Sequence, residues 1–171
     1  MTDLISCVEQ TILHPAELGI AQLEQTLDSL QQAKIDAGDL YFQVSQQESW
    51  VLDDGIIREG SFNIESGVGI RAMAGEKTGS AYSDDISLNA LQTASHNARA
   101  ITRQGQSASV QLRARSTPIE PLYTQRNPID SRSSQDKVDL LKKLDVYIRG
   151  LDSRIDQVII SLAGSIEHIL I

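Results

Sequence analysis

Leu40-Tyr41-Phe42-Gln43-Val44-Ser45-Gln46-Gln47-Glu48-Ser49-Trp50-Val51-Leu52-Asp53-Asp54-Gly55 is the stretch on which the fold turns. Every second residue, Leu40, Phe42, Val44, Gln46, Glu48, Trp50 and Leu52, falls on one largely apolar face, the period of a long strand. Asp54-Gly55 then supplies the positive φ angles of a tight hairpin. A return strand follows over 56–65, with Ile56, Phe62 and Ile64 on one face. Gly67-Val68-Gly69-Ile70-Arg71-Ala72 reads as a third strand, Gly75 to Gly79 as a turn, and Ser80-Ala81-Tyr82 as the start of a fourth. The expectation is an antiparallel meander.

Outward from this block the period changes. Upstream, Ile20, Leu23, Leu27 and Leu30 recur at helical spacing, with Gly38 placed just past the helix end. A shorter helix around Leu4, Val8 and Ile12 breaks before Pro15. Downstream, Ser83, Asp84 and Asp85 offer a helix start, and Leu88, Leu91, Ala94, Ala98 and Ile101 form its apolar stripe. Residues 105–132, rich in Ser, Gln, Arg and Pro, read as a long internal connection. Ser133-x-x-Asp136 opens a further helix as a capping box, with Val138, Leu141, Leu144 and Ile148 on its apolar face. Gln157 to Leu162 and Ile169-Leu170-Ile171 return as strand, and an ending on three apolar residues reads as a strand whose next segment would continue the sheet. The fold class is α+β, an antiparallel meander packed against amphipathic helices, in a single domain over 1–171.

Composition narrows the functions. Of the 171 residues 40% are hydrophobic and 22% charged, the balance of an ordinary globular protein. A net charge of −8 argues against nucleic acid as a partner, because phosphate binding needs clustered Lys and Arg. No leader-like segment and no apolar run of membrane-spanning length is read at the N-terminus or elsewhere. The single cysteine, Cys7, allows no internal disulfide and suits a reducing cytoplasm; among Leu4, Ile5 and Val8 it reads as a small buried hydrophobe.

Self-contained chemistry is hard to find. His14, His96 and His168 share no metal-ligand spacing with one another or with Cys7. Gly67-x-Gly69-x-x-Ala72 matches a dinucleotide fingerprint only in outline, since it begins an alternating strand where a helix N-terminus is required. Asp53-Asp54 and Asp84-Asp85 each adjoin a turn or helix start that accounts for them. Trp50, beside Glu48 and Arg58, reads as sheet-face packing or as a ligand contact.

Two blocks carry a family likeness. Gly38 to Gln43 with Glu48 to Leu52 form the first; Gly67 to Ala72, Gly75 to Gly79 and Ala81-Tyr82 form the second. Together they resemble the amino-terminal domain of the TldD/PmbA family of bacterial metallopeptidases, once described as modulators of DNA gyrase. Through Pro121-Leu122-Tyr123 and the final strand the likeness covers nearly the whole chain. It implies a two-domain zinc peptidase whose carboxy-terminal half carries a His-Glu-x-x-x-His motif. That motif is absent from these residues, so no catalytic or metal residue carries over and the chain alone is expected to be inactive. The resemblance further implies an unfolded peptide as substrate, a PmbA-type partner subunit, and zinc in the full-length protein. Trp50 and Arg71 are the candidates for lining a peptide channel. The competing reading is a stand-alone, non-catalytic interaction or dimerisation module.

Overall fold

Asp54 and Gly55 both take positive φ, 49° and 76°, the left-handed pair that lets a two-residue hairpin follow the twist of its strands. They join β1 (Ala37–Asp53) to β2 (Ile56–Ala74), as the Asp-Gly dipeptide predicts. This computed structural model describes residues 4–31, 35–102 and 126–171. Most of the connection expected over 105–132 lies outside them.

The remaining elements are α1 (Leu4–Val8), a π-helical turn (Glu9–Leu13), α2 (Ile20–Gln31), β3 (Lys77–Ser83), α3 (Leu88–Thr102), α4 (Ser134–Arg149) and β4 (Ile159–Leu170). The sheet is antiparallel with order β3-β2-β1-β4. An α+β fold with a meander followed by a returning strand is what the pattern predicts.

Several boundaries differ from the sequence reading, each for a local reason. The expected second and third strands are one strand, β2, running through Gly67. A Cβ at Gly67 would lie 2.9 Å from the Ser83 carbonyl oxygen. That glycine therefore admits β3 at close range and interrupts nothing. Gly38 is the second residue of β1, not a helix cap; a Cβ there would meet Ile35 Cδ1 at 3.0 Å. The start of α3 is capped by Ser87, whose hydroxyl accepts from the Ala90 N–H at 3.2 Å. Ser83 instead accepts from the Asp85 N–H within the preceding loop. The two terminal strand segments are one, β4.

The described residues form two compact units, which share β1, β2 and β4 between them. The first takes its residues from within Met1–Val44, Glu65–Pro118 and His168–Ile171. Its core follows strand alternation: Leu40, Phe42 and Val44 from β1, then Val68, Ile70 and Ala72 from β2. Ile12, Leu13, Leu30, Leu91, Ala94 and Ala98 from the helical segments cover that face. Small residues on α3 allow close packing, and Ser95 is satisfied inside by the Ser29 hydroxyl at 2.9 Å. β3 pairs with β2 from Val68↔Ser83 to Ala74↔Lys77. The Gly75 turn between them is held by its N–H donating to Asp36 Oδ2 at 2.6 Å.

The second unit takes its residues from within Ser45–Ile64 and Ile119–Glu167. Here α4 opens with the expected capping box: Ser133 Oγ accepts from the Asp136 N–H, and the Asp136 carboxylate accepts from the Ser133 N–H. Its buried residues are Lys137, Leu141 and Asp145, spaced four apart. Leu144, expected on the apolar face, is instead partly exposed. Leu52, Ile129 and Val158 complete the buried apolar set of this unit.

Candidate functional site

The second unit contains a cavity of about 600 Å³ built around Trp50. Alternation along β1 puts Glu48 and Trp50 on the same side of the strand, and β2 contributes Gly60, Ser61 and Phe62. A Cβ at Gly60 would lie 2.9 Å from Trp50 Cζ3. Only glycine at residue 60 lets the indole lie over β2 in this position, where the ring forms one wall. Phe62, 58% exposed, forms a second aromatic edge.

At the base of the cavity sits a buried ion pair. Lys137 Nζ lies 2.6 Å from Glu48 Oε1, with side-chain exposures of 6% and 10%. The same ammonium donates to the Ile129 carbonyl at 2.5 Å, while Trp50 Nε1–H leans toward Glu48 Oε2 at 3.4 Å. One carboxylate thus serves both the cation of α4 and the indole of β1. Burying a lysine is tolerated because its charge is matched by Glu48 and a second N–H reaches the Ile129 carbonyl. The rim carries Asp130, Arg132, Ser133 and Ser134.

A second network clamps the hairpin to the C-terminal end of α4. Arg149 Nη2 binds Asp54 Oδ1 at 2.5 Å and its Nε binds Asp145 Oδ1 at 3.2 Å. Asp54 also accepts from the Val158 N–H at 3.2 Å. That backbone bond first, and the Arg149 guanidinium second, hold the Asp54 carboxyl below its ordinary value. A depressed folded-state value contributes stability above the unfolded-state pKa of about 4 and loses it as pH falls through the folded value. The melting temperature of Arg149→Met is therefore expected to lie below that of the parent at neutral pH. The gap should narrow as pH drops below about 4. A gap constant from pH 7 to pH 2 in parallel thermal melts would show that Asp54 is not the partner that matters.

Of the two residues singled out by sequence, Trp50 stands at the cavity and Arg71 does not. Trp50 belongs to the second unit and Arg71 to the first. Arg71 Nε and Nη2 both bind Asp39 Oδ2, at 2.9 and 2.5 Å. That carboxylate raises the guanidinium above its ordinary value. Arg71 is thus engaged by the neighbouring strand. Lys137, Phe62 and Gly60 are not evident from sequence as parts of a site. One signal did exist: Glu48 is a carboxylate on a largely apolar strand face, and such a group, once buried, needs a cation from elsewhere in the fold.

Metal binding has no donor set to build on here. Among the described residues no three His, Cys, Asp or Glu side chains come together as ligands, so no step through a metal is derived from this chain. His168 Nδ1 is buried with no hydrogen-bond partner among the described residues. The glycines of the dinucleotide-like pattern lie inside β2, followed by a turn and β3 with no helix start. Among the described residues no helix is long and apolar enough to cross a membrane, which leaves β-barrel crossing unaddressed.

Comparison with known proteins gives the site its setting. Residues 38–102 match the family described as PmbA/TldA metallopeptidase domain 1. The chain is 40% identical over 170 residues to the metalloprotease TldD homolog of Haemophilus influenzae, covering 98% of this chain and 35% of that protein. To the TldD homolog of Buchnera aphidicola from Acyrthosiphon pisum it is 38% identical over 164 residues, covering 96% and 34%. It therefore spans about a third of the length of these curated relatives. In fold it is similar to a Bacteroides thetaiotaomicron protein described as a modulator of DNA gyrase, with a TM-score of 0.64 at 19% identity, over 88% of this chain and 36% of that one. TldE from Thermococcus kodakarensis aligns with a TM-score of 0.59 at 15% identity, over 87% and 34%. The structural likenesses bear on fold alone, whereas the sequence matches bear on descent: the chain belongs to the TldD/PmbA family of metallopeptidases, over the part that includes its first domain.

Proposed function

We propose that this chain is the substrate-access and assembly domain of a TldD-like zinc metallopeptidase that degrades unfolded peptides together with a PmbA-type partner subunit. The observation that carries the proposal is the position of β4. It runs for 12 residues, Ile159–Leu170, and is the last strand of the sheet among the described residues. A strand paired on one side offers main-chain donors and acceptors to an extended peptide, which can add as a further strand. Zinc and the catalytic groups would come from the part of the longer protein that this chain does not span. Deleting residues 1–171 from that longer protein is expected to abolish controlled cleavage of unfolded peptides. Cleavage of a quenched fluorescent peptide at an undiminished rate after the deletion would remove the access role.

A second reading, a non-catalytic interaction module, is favoured by the outer face of α4. Leu140, Leu144 and Tyr147 follow one another at spacings of four and three residues, with Leu151 in the turn just past the helix end, and all are exposed, Tyr147 by 65%. Such an apolar stripe is the kind of surface a partner helix covers. Specific, stoichiometric binding of the 171-residue chain to a PmbA-type subunit in calorimetry, with no effect of the chain on cleavage, would decide for this reading.

A further inference from the structure

We infer that the Trp50 cavity is a side-chain subsite, taking an uncharged aromatic or large aliphatic residue of a peptide. The inference rests on the peptide-handling role proposed above and says which peptides the domain would hold.

Shape and charge both point this way. Trp50 and Phe62 present aromatic surface to a cavity of about 600 Å³, a volume within the usual range of ligand sites. Aromatic walls favour another ring or a branched aliphatic group. The four charges around the cavity cancel: Glu48 against Lys137 at the base, and Asp130 with Arg132 at the rim. With the ion pair already closed at 2.6 Å, an entering carboxylate or ammonium would compete with an internal partner and lose its own hydration. A neutral side chain suffers neither loss.

Polar groups are placed to read the peptide main chain. An ammonium has three N–H donors, and among the described residues Lys137 spends them on two acceptors, Glu48 Oε1 and the Ile129 carbonyl. The third is left for a ligand carbonyl at the cavity base. Ser134 brings its hydroxyl to the rim, beside Ser133, whose own N–H and hydroxyl are held by Asp136. The wall is also set in advance, because Gly60 leaves room for the indole over β2 and Glu48 accepts from its N–H. A preformed pocket loses little freedom on binding.

Trp50 is the sole tryptophan, so its emission reports the cavity directly in the unmodified chain. The test titrates doubly blocked tripeptides, Ala-X-Ala with X as Phe, Leu, Ala, Asp or Lys, and follows Trp50 fluorescence. Phe and Leu peptides are expected to shift and saturate the emission, with dissociation constants on the order of 1 mM and at least about tenfold tighter than for Ala, Asp or Lys. Phe62→Ala, which leaves Trp50 and its support untouched, is expected to weaken the Phe peptide about tenfold. Gly60→Val is expected to abolish the response, with circular dichroism checking that the chain stays folded. Equal responses to charged and apolar peptides, or no saturable response to any, overturn the inference. The two proposals can fail separately. A silent Trp50 with cleavage still dependent on residues 1–171 removes the subsite, whereas selective binding with cleavage independent of those residues removes the access role.

Discussion

Replacing Lys137 by methionine is expected to lower the unfolding free energy by about 3–5 kcal/mol, the usual consequence of removing one member of a buried ion pair. The methionine keeps most of the volume and the flexible stem, so packing changes little. What changes is Glu48, 10% exposed and deprived of its cation, along with the Ile129 carbonyl, which loses its donor. Glu48 must then either hold an unmatched charge inside the unit or take up a proton. For a domain whose total stability is of the order of 5–15 kcal/mol, that loss is a large share. The double replacement Glu48→Leu with Lys137→Met removes both charges and is expected to return most of the stability, because well-packed apolar isosteres of buried pairs are often neutral or better. Urea unfolding of the two single variants and the double variant gives the coupling directly. A loss below about 1 kcal/mol in the Lys137 variant would place the pair among exposed bridges of little worth. Trp50 emission should also move, since its indole N–H shares the same carboxylate.

How legible the fold was depends on where the information lies. Alternation over Leu40–Leu52 and the Asp54-Gly55 turn were readable because strand period and left-handed dihedrals are properties of a few adjacent residues. The capping box at Ser133 and Asp136 was readable for the same reason. Gly67 and Gly38 were misjudged because their need for glycine comes from the Ser83 carbonyl and from Ile35 and Arg71, partners that only the folded sheet supplies. The apolar face of α4 was misjudged in a related way. Helical spacing favoured Val138, Leu141, Leu144 and Ile148, yet the helix buries Lys137 and Asp145 beside Leu141. Each of those charges has a partner distant in sequence or on the next turn, Glu48 for Lys137 and Arg149 for Asp145. Pattern reading assigns charges to solvent, so it misses a buried pair unless both halves are recognised together. The cavity was half legible: Trp50 was picked out, but its partners Gly60, Phe62 and Lys137 come from separate segments. The family was readable at once, because two blocks in one order carry more information than any single motif.

Phe42→Ala is expected to destabilise the first unit by about 3–5 kcal/mol, the range for truncating a buried aromatic side chain. Phe42 is 1% exposed in the cluster that holds Leu30, Ile70 and Leu91. The cost depends on how far neighbours can close the gap. Ala72, Ala94 and Ala98 in the same cluster have no side-chain length with which to do so, which places the expectation toward the upper end. Phe42→Leu keeps most of the volume and should cost less than about half as much. Hydrogen exchange would show the effect as lost protection in β2, β3 and α3, the elements that share this core. The same variant also separates stability from binding. Every residue of the Trp50 cavity belongs to the second unit, so Phe42→Ala should reduce the peptide response only in proportion to the unfolded fraction and leave the dissociation constant unchanged. A changed affinity at full folding would mean that the cavity depends on residues beyond those that line it. Phe62→Ala should do the reverse, weakening the Phe peptide while leaving the melting temperature close to that of the parent, because a residue 58% exposed has little burial to lose.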